Sequence, residues 1–226
     1  MTPRRLGIWA LAVVGLSAGL VIAVPALVSR LAFFRIRMVE IVGATYLDPL
    51  DIVPRLAVPE GADILLDLGP IRDAALEIPG IREAEVSRRW PGTLVVTIRE
   101  AVPVALVSVE GDLMVMDVSG EVLPWSPARI DHSLPLAPSD SAVAGLLGRL
   151  RSADPQWYAT VDRAVRRGPD LWLEAGGRSV RLMPTASEGV LRNLELVRQW
   201  LADSAIAWRE IDARVPTRFF VLKAAS

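Results

Sequence analysis

The chain of 226 residues contains no cysteine and one histidine, His132. Without thiols there can be no disulfide, no cysteine nucleophile and no thiolate metal site. One histidine, in the loop-like segment RIDHSLP, leaves a tetrahedral zinc site short of ligands. Neither sign of charge dominates, since 25 Lys and Arg stand against 26 Asp and Glu. A nucleic-acid surface would need a clustered basic excess, and none is present. Glycines occur singly or as the pair Gly176-Gly177, so no phosphate-cradling loop is seen. Serines sit in Ser/Pro-rich stretches without a nucleophile-elbow pattern. Repeats and low-complexity tracts are also missing. Carboxylates remain, and two at the right separation can cleave a glycosidic bond. Asp63, Asp67, Glu85 and Glu100 qualify by type alone, and a solvated strand face is their ordinary explanation.

Apolar residues are concentrated at the start. Leu6 to Val28, LGIWALAVVGLSAGLVIAVPALV, carries no charge over 23 residues. At ~1.5 Å rise per residue such a helix crosses a ~30 Å hydrocarbon core with some tilt. A cleaved signal peptide, with Ser17 and Ala18 as its cleavage site, is the competing reading. The run continues well past that site, which favours an uncleaved anchor. Arg4 and Arg5 precede it and Arg30, Arg35 and Arg37 follow, so charge does not orient it. Long following domains translocate largely regardless of charge, so the tail is expected inside and the bulk outside.

Beyond the span the reading is α+β. A strand is expected over Arg35 to Val42, with a bulge where Ile36, Val39 and Ile41 break alternation. Gly43 ends it, Asp48 and Pro49 start a helix, and Pro54 keeps that helix short or kinked. A second helix fits Pro70 to Ile78, with Ile71, Ala74, Ala75 and Ile78 on one face. A hairpin follows, Ile81 to Arg89 and Thr93 to Glu100, around Trp90-Pro91-Gly92. The order is thus β-α-α-β-β.

From Pro103 strands dominate: Val104 to Val109, Leu113 to Asp117, Val161 to Arg166, Leu171 to Ala175 and Arg178 to Met183. Leu123 to Asp140 reads as a Pro- and Ser-rich connector. Helices are expected near Val143 to Arg151 and over Ser187 to Ser204, where Thr185 and Glu188 fit a capping box. Strands Trp208 to Ala213 and Thr217 to Lys223 close the chain. Trp157, Trp172, Trp200 and Trp208 are expected to fill the core, and Arg192 and Arg198 to be solvated.

Several stretches together resemble the FtsQ/DivIB family of bacterial cell-division proteins. VEIVGATYLDPLDI is similar to the family's first POTRA strand and helix start. IPGIREAEVSRRWPGTLVVTIREAVPVALV is similar to its hairpin and the Glu followed by Pro-Val-Ala. VMDVSGEVL, LPL at Leu134 to Leu136, and REIDARVPTRFFVL resemble its Asp-x-x-Gly turn, Leu-Pro motif and Ile-Asp-x-Arg segment. The resemblance implies a cytoplasmic tail over 1–5, a transmembrane helix over 6–28 and a linker over 29–34. A POTRA domain over 35–102 and an FtsQ-type β domain with two helices over 103–226 follow. The Arg-Glu-x-x-Pro segment would pass the chain from one domain to the next without a flexible linker.

It also implies a role without catalysis or cofactor. The family holds FtsB-like (DivIC-like) and FtsL-like single-pass partners outside the cytoplasmic membrane, at the division septum. There it helps recruit the septal peptidoglycan synthesis machinery, and its POTRA domain is linked to recruitment. The expected docking element is the last strand, by addition of a partner's strand to a sheet edge. The residues singled out are Arg214, Val215, Thr217, Arg218, Phe219, Phe220, Val221 and Leu222. Arg214 matches the Arg of Ile-Asp-x-Arg and would meet acidic groups on the partner. Val215 stands where many relatives carry Tyr. The alternative is that Phe219, Phe220 and Val221 complete the core. Other functions left open are a membrane-anchored cell-wall hydrolase or transferase, and a POTRA protein of polypeptide transport.

Overall fold

The structure, a computed structural model, describes residues 34–130 and 134–224. The expected tail, the span over 6–28, nearly all of the linker and His132 lie outside the described residues. Among the described residues no helix is long and apolar enough to cross a membrane. The chain divides into two compact units that part between Glu100 and Ala101.

The N-terminal unit runs β1 (Met38–Val42), α1 (Pro49–Ile52), a 3-10 turn (Val53–Leu56), α2 (Gly69–Leu76), β2 (Ile81–Arg89) and β3 (Thr93–Glu100). Strand β3 is central, parallel to β1 and antiparallel to β2. Its alternate residues Leu94, Val96 and Ile98 are buried against Ile52, Leu56, Ile71 and Ala75 of the helical layer. Each such side chain contributes roughly 1.5–3 kcal/mol by leaving water. The Asp48 carboxylate accepts the Leu50 N–H at 2.9 Å and so caps α1. Pro54 has no N–H to give, and the helix tightens there into the 3-10 turn. Strand β1 is shorter than the sequence suggests, because the residues before it bond elsewhere. Ile36 N–H donates to Ala62 O at 2.9 Å and Arg37 N–H to Gly92 O at 2.9 Å.

Two glycines are dictated by space. Gly43 has φ +90°, and a Cβ there would stand 2.2 Å from the carbonyl oxygen of Ile98. Gly92, in the hairpin turn, does not have a positive φ. It is glycine because a Cβ would lie 2.4 Å from Arg35 O. The Glu100 carboxylate receives the N–H groups of Thr45 (2.9 Å), Tyr46 (2.8 Å) and Leu47 (2.8 Å). The acidic residue of Arg-Glu-x-x-Pro therefore clamps the turn between β1 and α1.

The C-terminal unit runs β4 (Pro103–Val109), β5 (Asp112–Asp117), β6 (Val122–Leu123), α3 (Ser141–Ala153), α4 (Pro155–Tyr158), β7 (Arg163–Arg167), β8 (Asp170–Ala175), β9 (Arg178–Leu182), α5 (Glu188–Asp203), β10 (Trp208–Val215) and β11 (Arg218–Lys223). Strands β4-β5-β6 form one sheet and β11-β10-β9-β8-β7 another. Leu136 joins them. Ala137 N–H donates to Leu106 O at 2.8 Å and Leu106 N–H to Pro135 O at 2.9 Å on one side. On the other, Leu136 N–H donates to Asp162 O at 3.1 Å, and Ala164 N–H to Leu136 O at 2.8 Å. The stretch expected to be a mere connector thus supplies one strand residue, and the two sheets are continuous through it.

Helices α3 and α5 bury Leu146, Leu147, Leu150, Leu191 and Leu194, and the sheet buries Leu171, Leu173, Val180 and Ile211. Asp140 caps α3 through the N–H groups of Ala142 (2.8 Å) and Val143 (3.2 Å). The capping box expected on α5 does not form: its N-cap is Ser187, without a side-chain bond. The one-turn helix α4, absent from the sequence reading, is capped by Asp154 through the Trp157 N–H at 2.8 Å.

Replacing Glu100 by Ala strands three N–H groups that now bond to a charged acceptor. Urea unfolding of the N-terminal unit should show a loss of about 2 kcal/mol or more, and Glu100→Gln should recover part of it. Unchanged unfolding in both variants would show the clamp to be incidental.

Candidate functional site: an open sheet edge

Joined through Leu136, the sheet of the C-terminal unit has two outer strands among the described residues, β6 and β11. Strand β6 has two residues, too few to template another strand. Strand β11 has six, and its inner side pairs antiparallel with β10 through Glu210↔Leu222, Ile211↔Val221 and Asp212↔Phe220.

The direction of its backbone groups follows from one bond. Ala224 N–H donates to Ala207 O at 3.1 Å, toward β10. In an antiparallel strand, successive residues alternate between facing the partner strand and facing away. Arg218, Phe220 and Leu222 therefore turn their N–H and C=O groups toward β10. Phe219, Val221 and Lys223 turn theirs outward. The register shifts in this pair leave the alternation along β11 intact, because the extra residues lie on β10.

Side chains divide by face. Phe219 and Val221 are half-buried on the helix side, whereas Phe220 is 60% exposed and Leu222 is exposed on the other. None of the β11 residues is fully buried, and Phe220, one of the three residues that the alternative reading places in the core, is exposed. Val215, Thr217 and Arg218 are exposed in and beside the β10–β11 turn.

Arg214 is engaged within the chain. Its Nε lies 2.9 Å from Asp212 Oδ1, its Nη2 lies 2.7 Å from Asp212 Oδ2, and its Nη1 lies 3.5 Å from Asp170 Oδ2. Asp170 is buried and also accepts Arg181 Nε at 2.8 Å. Pairing across the strands continues Phe220↔Asp212, Asp212↔Arg181 and Arg181↔Trp172. The guanidiniums of Arg181 and Arg167 lie 5.3 Å and 4.9 Å from the Trp172 ring centre. The outer face is thus a fixed ionic and aromatic lattice. The Arg214 hydrogen bonds hold the Asp212 carboxyl below the usual carboxylate range, although burial works against them.

Asp212, Asp170, Arg181 and Trp172 were not among the sequence-predicted site residues. Only Asp212 had a signal, as the Asp of Ile-Asp-x-Arg. The other three reach this face through the order of strands.

Two expectations outside the edge are corrected. Trp200 is 59% exposed on α5 and does not fill the core. Arg198 is not solvated. Its Nη1 lies 2.7 Å from the buried Asp154 and its guanidinium 4.4 Å from the centre of the Trp157 ring, beside a cavity of about 570 Å³. Burial lowers the Arg198 pKa from its ordinary value, with Asp154 opposing the shift. Three carboxylates considered for catalysis accept their own chain's amides: Asp63 from Leu65 at 2.7 Å, Asp67 from Gly69 at 3.0 Å, and Glu100 as above. Among the described residues no group of three or more His, Asp or Glu is placed to hold a metal.

Residues 34–101 match the family model described as POTRA domain, FtsQ-type. The chain is 35% identical over 142 residues to a protein of Zymomonas mobilis named cell division protein FtsQ, covering 62% of this chain and 45% of that one. A protein of the same name from Rhodothermus marinus is 32% identical over 188 residues, covering 74% and 68%. The Caulobacter vibrioides protein of that name is 29% identical over 194 residues, covering 82% and 63%. The match thus spans less than half of the Zymomonas protein and about two thirds of the other two.

The Asp212–Arg214 pair predicts a pH dependence. The Asp212 pKa is depressed in the folded state, so the stability it brings is present above the unfolded value near ~3.9 and is lost as pH falls through the folded value. Asp212→Asn should cost about 1 kcal/mol at neutral pH, a deficit that closes as acidification protonates the Asp212 carboxyl in the folded state. A deficit unchanged by pH in urea titrations would show that charge is not its source.

Proposed function

The chain belongs to the FtsQ family of bacterial cell-division proteins, and from that premise we propose that it is a non-catalytic scaffold of the divisome. It is anchored in the cytoplasmic membrane by residues 6–28, with its two described units outside and its tail inside. Its β11 edge receives a strand from an FtsB-like (DivIC-like) partner that itself pairs with an FtsL-like one. This assembly helps bring the septal peptidoglycan synthesis machinery to the division site.

The observation that carries this reading is the outward row of N–H and C=O groups on β11. A six-residue edge offers a partner strand several backbone bonds, and net worth accumulates at ~0.5–1.5 kcal/mol each. Specificity would come from the flanking side chains. Phe220 and Leu222 supply an apolar strip on the outer face, and Arg214, Thr217 and Arg218 supply polar contacts at one end. Arg214 reaches a partner's acidic group with the donors that Asp212 leaves over, on a guanidinium already oriented. That arrangement lowers the entropy lost on binding. Val215 contributes an exposed apolar contact at the turn.

Proline substitution separates the two sides of the strand. Val221→Pro removes an outward donor and leaves the ladder to β10 complete, as edge positions permit. It should melt within a few degrees of the parent and bind a soluble FtsB/FtsL-type ectodomain at least roughly tenfold more weakly. Phe220→Pro removes a donor to β10 and should lower the melting temperature. If Val221→Pro stays folded and binds unchanged, the β11 edge is not the docking site.

A further inference from the structure

The N-terminal unit carries a second exposed surface, at the end where the chain enters it. Three segments meet there: Phe34 to Met38, Ala62 to Leu66, and the hairpin tip Arg88 to Gly92. Ile64 N–H donates to Phe34 O at 2.8 Å, and Gly92 O accepts Arg37 N–H at 2.9 Å and Met38 N–H at 3.3 Å. Arg88 binds the middle segment through Nε to Ile64 O at 2.6 Å and Nη2 to Leu66 O at 2.7 Å. The Phe34 and Trp90 rings meet edge to face with centres 5.8 Å apart.

Backbone bonds fix this end, and yet it leaves large apolar groups in water. Trp90 is 55% exposed, Met38 59% and Leu65 41%. Four arginines, Arg35, Arg37, Arg88 and Arg89, belong to the same segments. Three carboxylates nearly offset that charge: Glu40, which pairs with Arg89, with Glu60 and Asp63 in the adjoining loop. An exposed indole with an apolar body and a polar N–H, on segments that also carry arginines, is the side-chain set that settles at a membrane–water interface.

We infer that this end of the unit rests on the outer surface of the bilayer, with Trp90, Met38 and Leu65 at the headgroup–acyl boundary. The inference rests on the reading of residues 6–28 as a membrane span. The length of chain between them selects lipid as the occupant. Six residue steps separate Val28 from Phe34, which in any conformation reach no more than ~20 Å. Headgroups occupy ~5–8 Å of that on each side of the hydrocarbon. Phe34 contacts Trp90, so the short tether holds the hairpin tip near the lipid surface. With charge nearly balanced, attraction comes from the apolar and aromatic groups rather than from anionic lipid.

The absence of cysteine allows a clean test in the full chain, reconstituted in phosphatidylcholine nanodiscs. A nitroxide is placed at Met38→Cys or, as control, at Glu85→Cys, four residues from Arg89 along β2. The Met38→Cys label should be relaxed preferentially by a lipid-soluble paramagnet, and the Glu85→Cys label by a water-soluble one. Trp90→Ala should shift the ratio at position 38 toward water by roughly tenfold, which corresponds to 1.4 kcal/mol, while Trp90→Phe keeps it. Salt and added phosphatidylglycerol should change little.

Both labels equally in water, with the chain still in the disc, would overturn the inference and leave the membrane anchor standing. Seating that appears only with phosphatidylglycerol and vanishes in salt would overturn its aromatic basis. A chain that separates from the disc would sink the anchor reading and this inference together. Melting curves matched to the parent qualify each variant.

Discussion

The backbone pairing of Leu136 is the contact on which the architecture of the C-terminal unit depends. Four hydrogen bonds at this residue and its neighbours join β4 on one side to β7 on the other. Without them the unit would hold two sheets with four outer strands, each presenting unpaired amides and carbonyls. With them, β4 and β7 become interior and the outer strands are β6 and β11. One is two residues long; the other is a full strand. The location of the docking edge we propose follows from that distribution of backbone groups, because a buried amide must find a partner and an outer one can offer itself.

The rest of the unit holds that edge still. On one face Leu171, Leu173, Val180 and Ile211 are buried, so β8 to β10 are fixed by packing. On the other side, Asp170 collects Arg181 and Arg214, and Arg214 in turn closes on Asp212. Arginine suits this role, since the fork of Arg214 reaches two carboxylates at once and the Arg181 guanidinium lies over the Trp172 ring, 5.3 Å from its centre. Strand β10 is therefore tied from both faces, and β11 hangs from it by one ladder. A strand held in this way is pre-organised for a partner without being covered. The N-terminal unit follows the same economy, with Glu100 clamping one turn and Arg88 another.

The local features of this fold were legible in the sequence because short-range chemistry decides them. Trp90-Pro91-Gly92 marks a hairpin, Asp48-Pro49 a helix start, and the alternation of Leu94 to Ile98 a strand half-buried against helices. The final strand was legible too, although the division of its side chains, Phe219 and Val221 on one face and Phe220 and Leu222 on the other, came only with the structure. What escaped depends on contacts distant along the chain. Leu136 lies between prolines in a stretch of loop composition, and only its neighbours in space make it a strand residue. Trp200 continues the apolar character of α5 but falls on its exposed face, where composition gives no warning. Arg198 reads as a surface cation until α4, too short to detect by periodicity, brings Asp154 and Trp157 beneath it. Asp170 and Arg181 join Asp212 because β9 and β10 run parallel across α5, an order that no motif announces.

Residue-resolved amide hydrogen exchange across β11 tests the central claim most directly, in the C-terminal unit alone and with a soluble FtsB/FtsL-type ectodomain. In the unbound protein the amides of Phe220 and Leu222 should be protected by β10, and those of Phe219, Val221 and Lys223 should exchange rapidly. On addition of the ectodomain the second set should become protected while the first changes little. Protection that is uniform along β11 before the partner is added, or a partner that leaves Phe219, Val221 and Lys223 exchanging as before, would contradict the assignment of this strand as the docking edge.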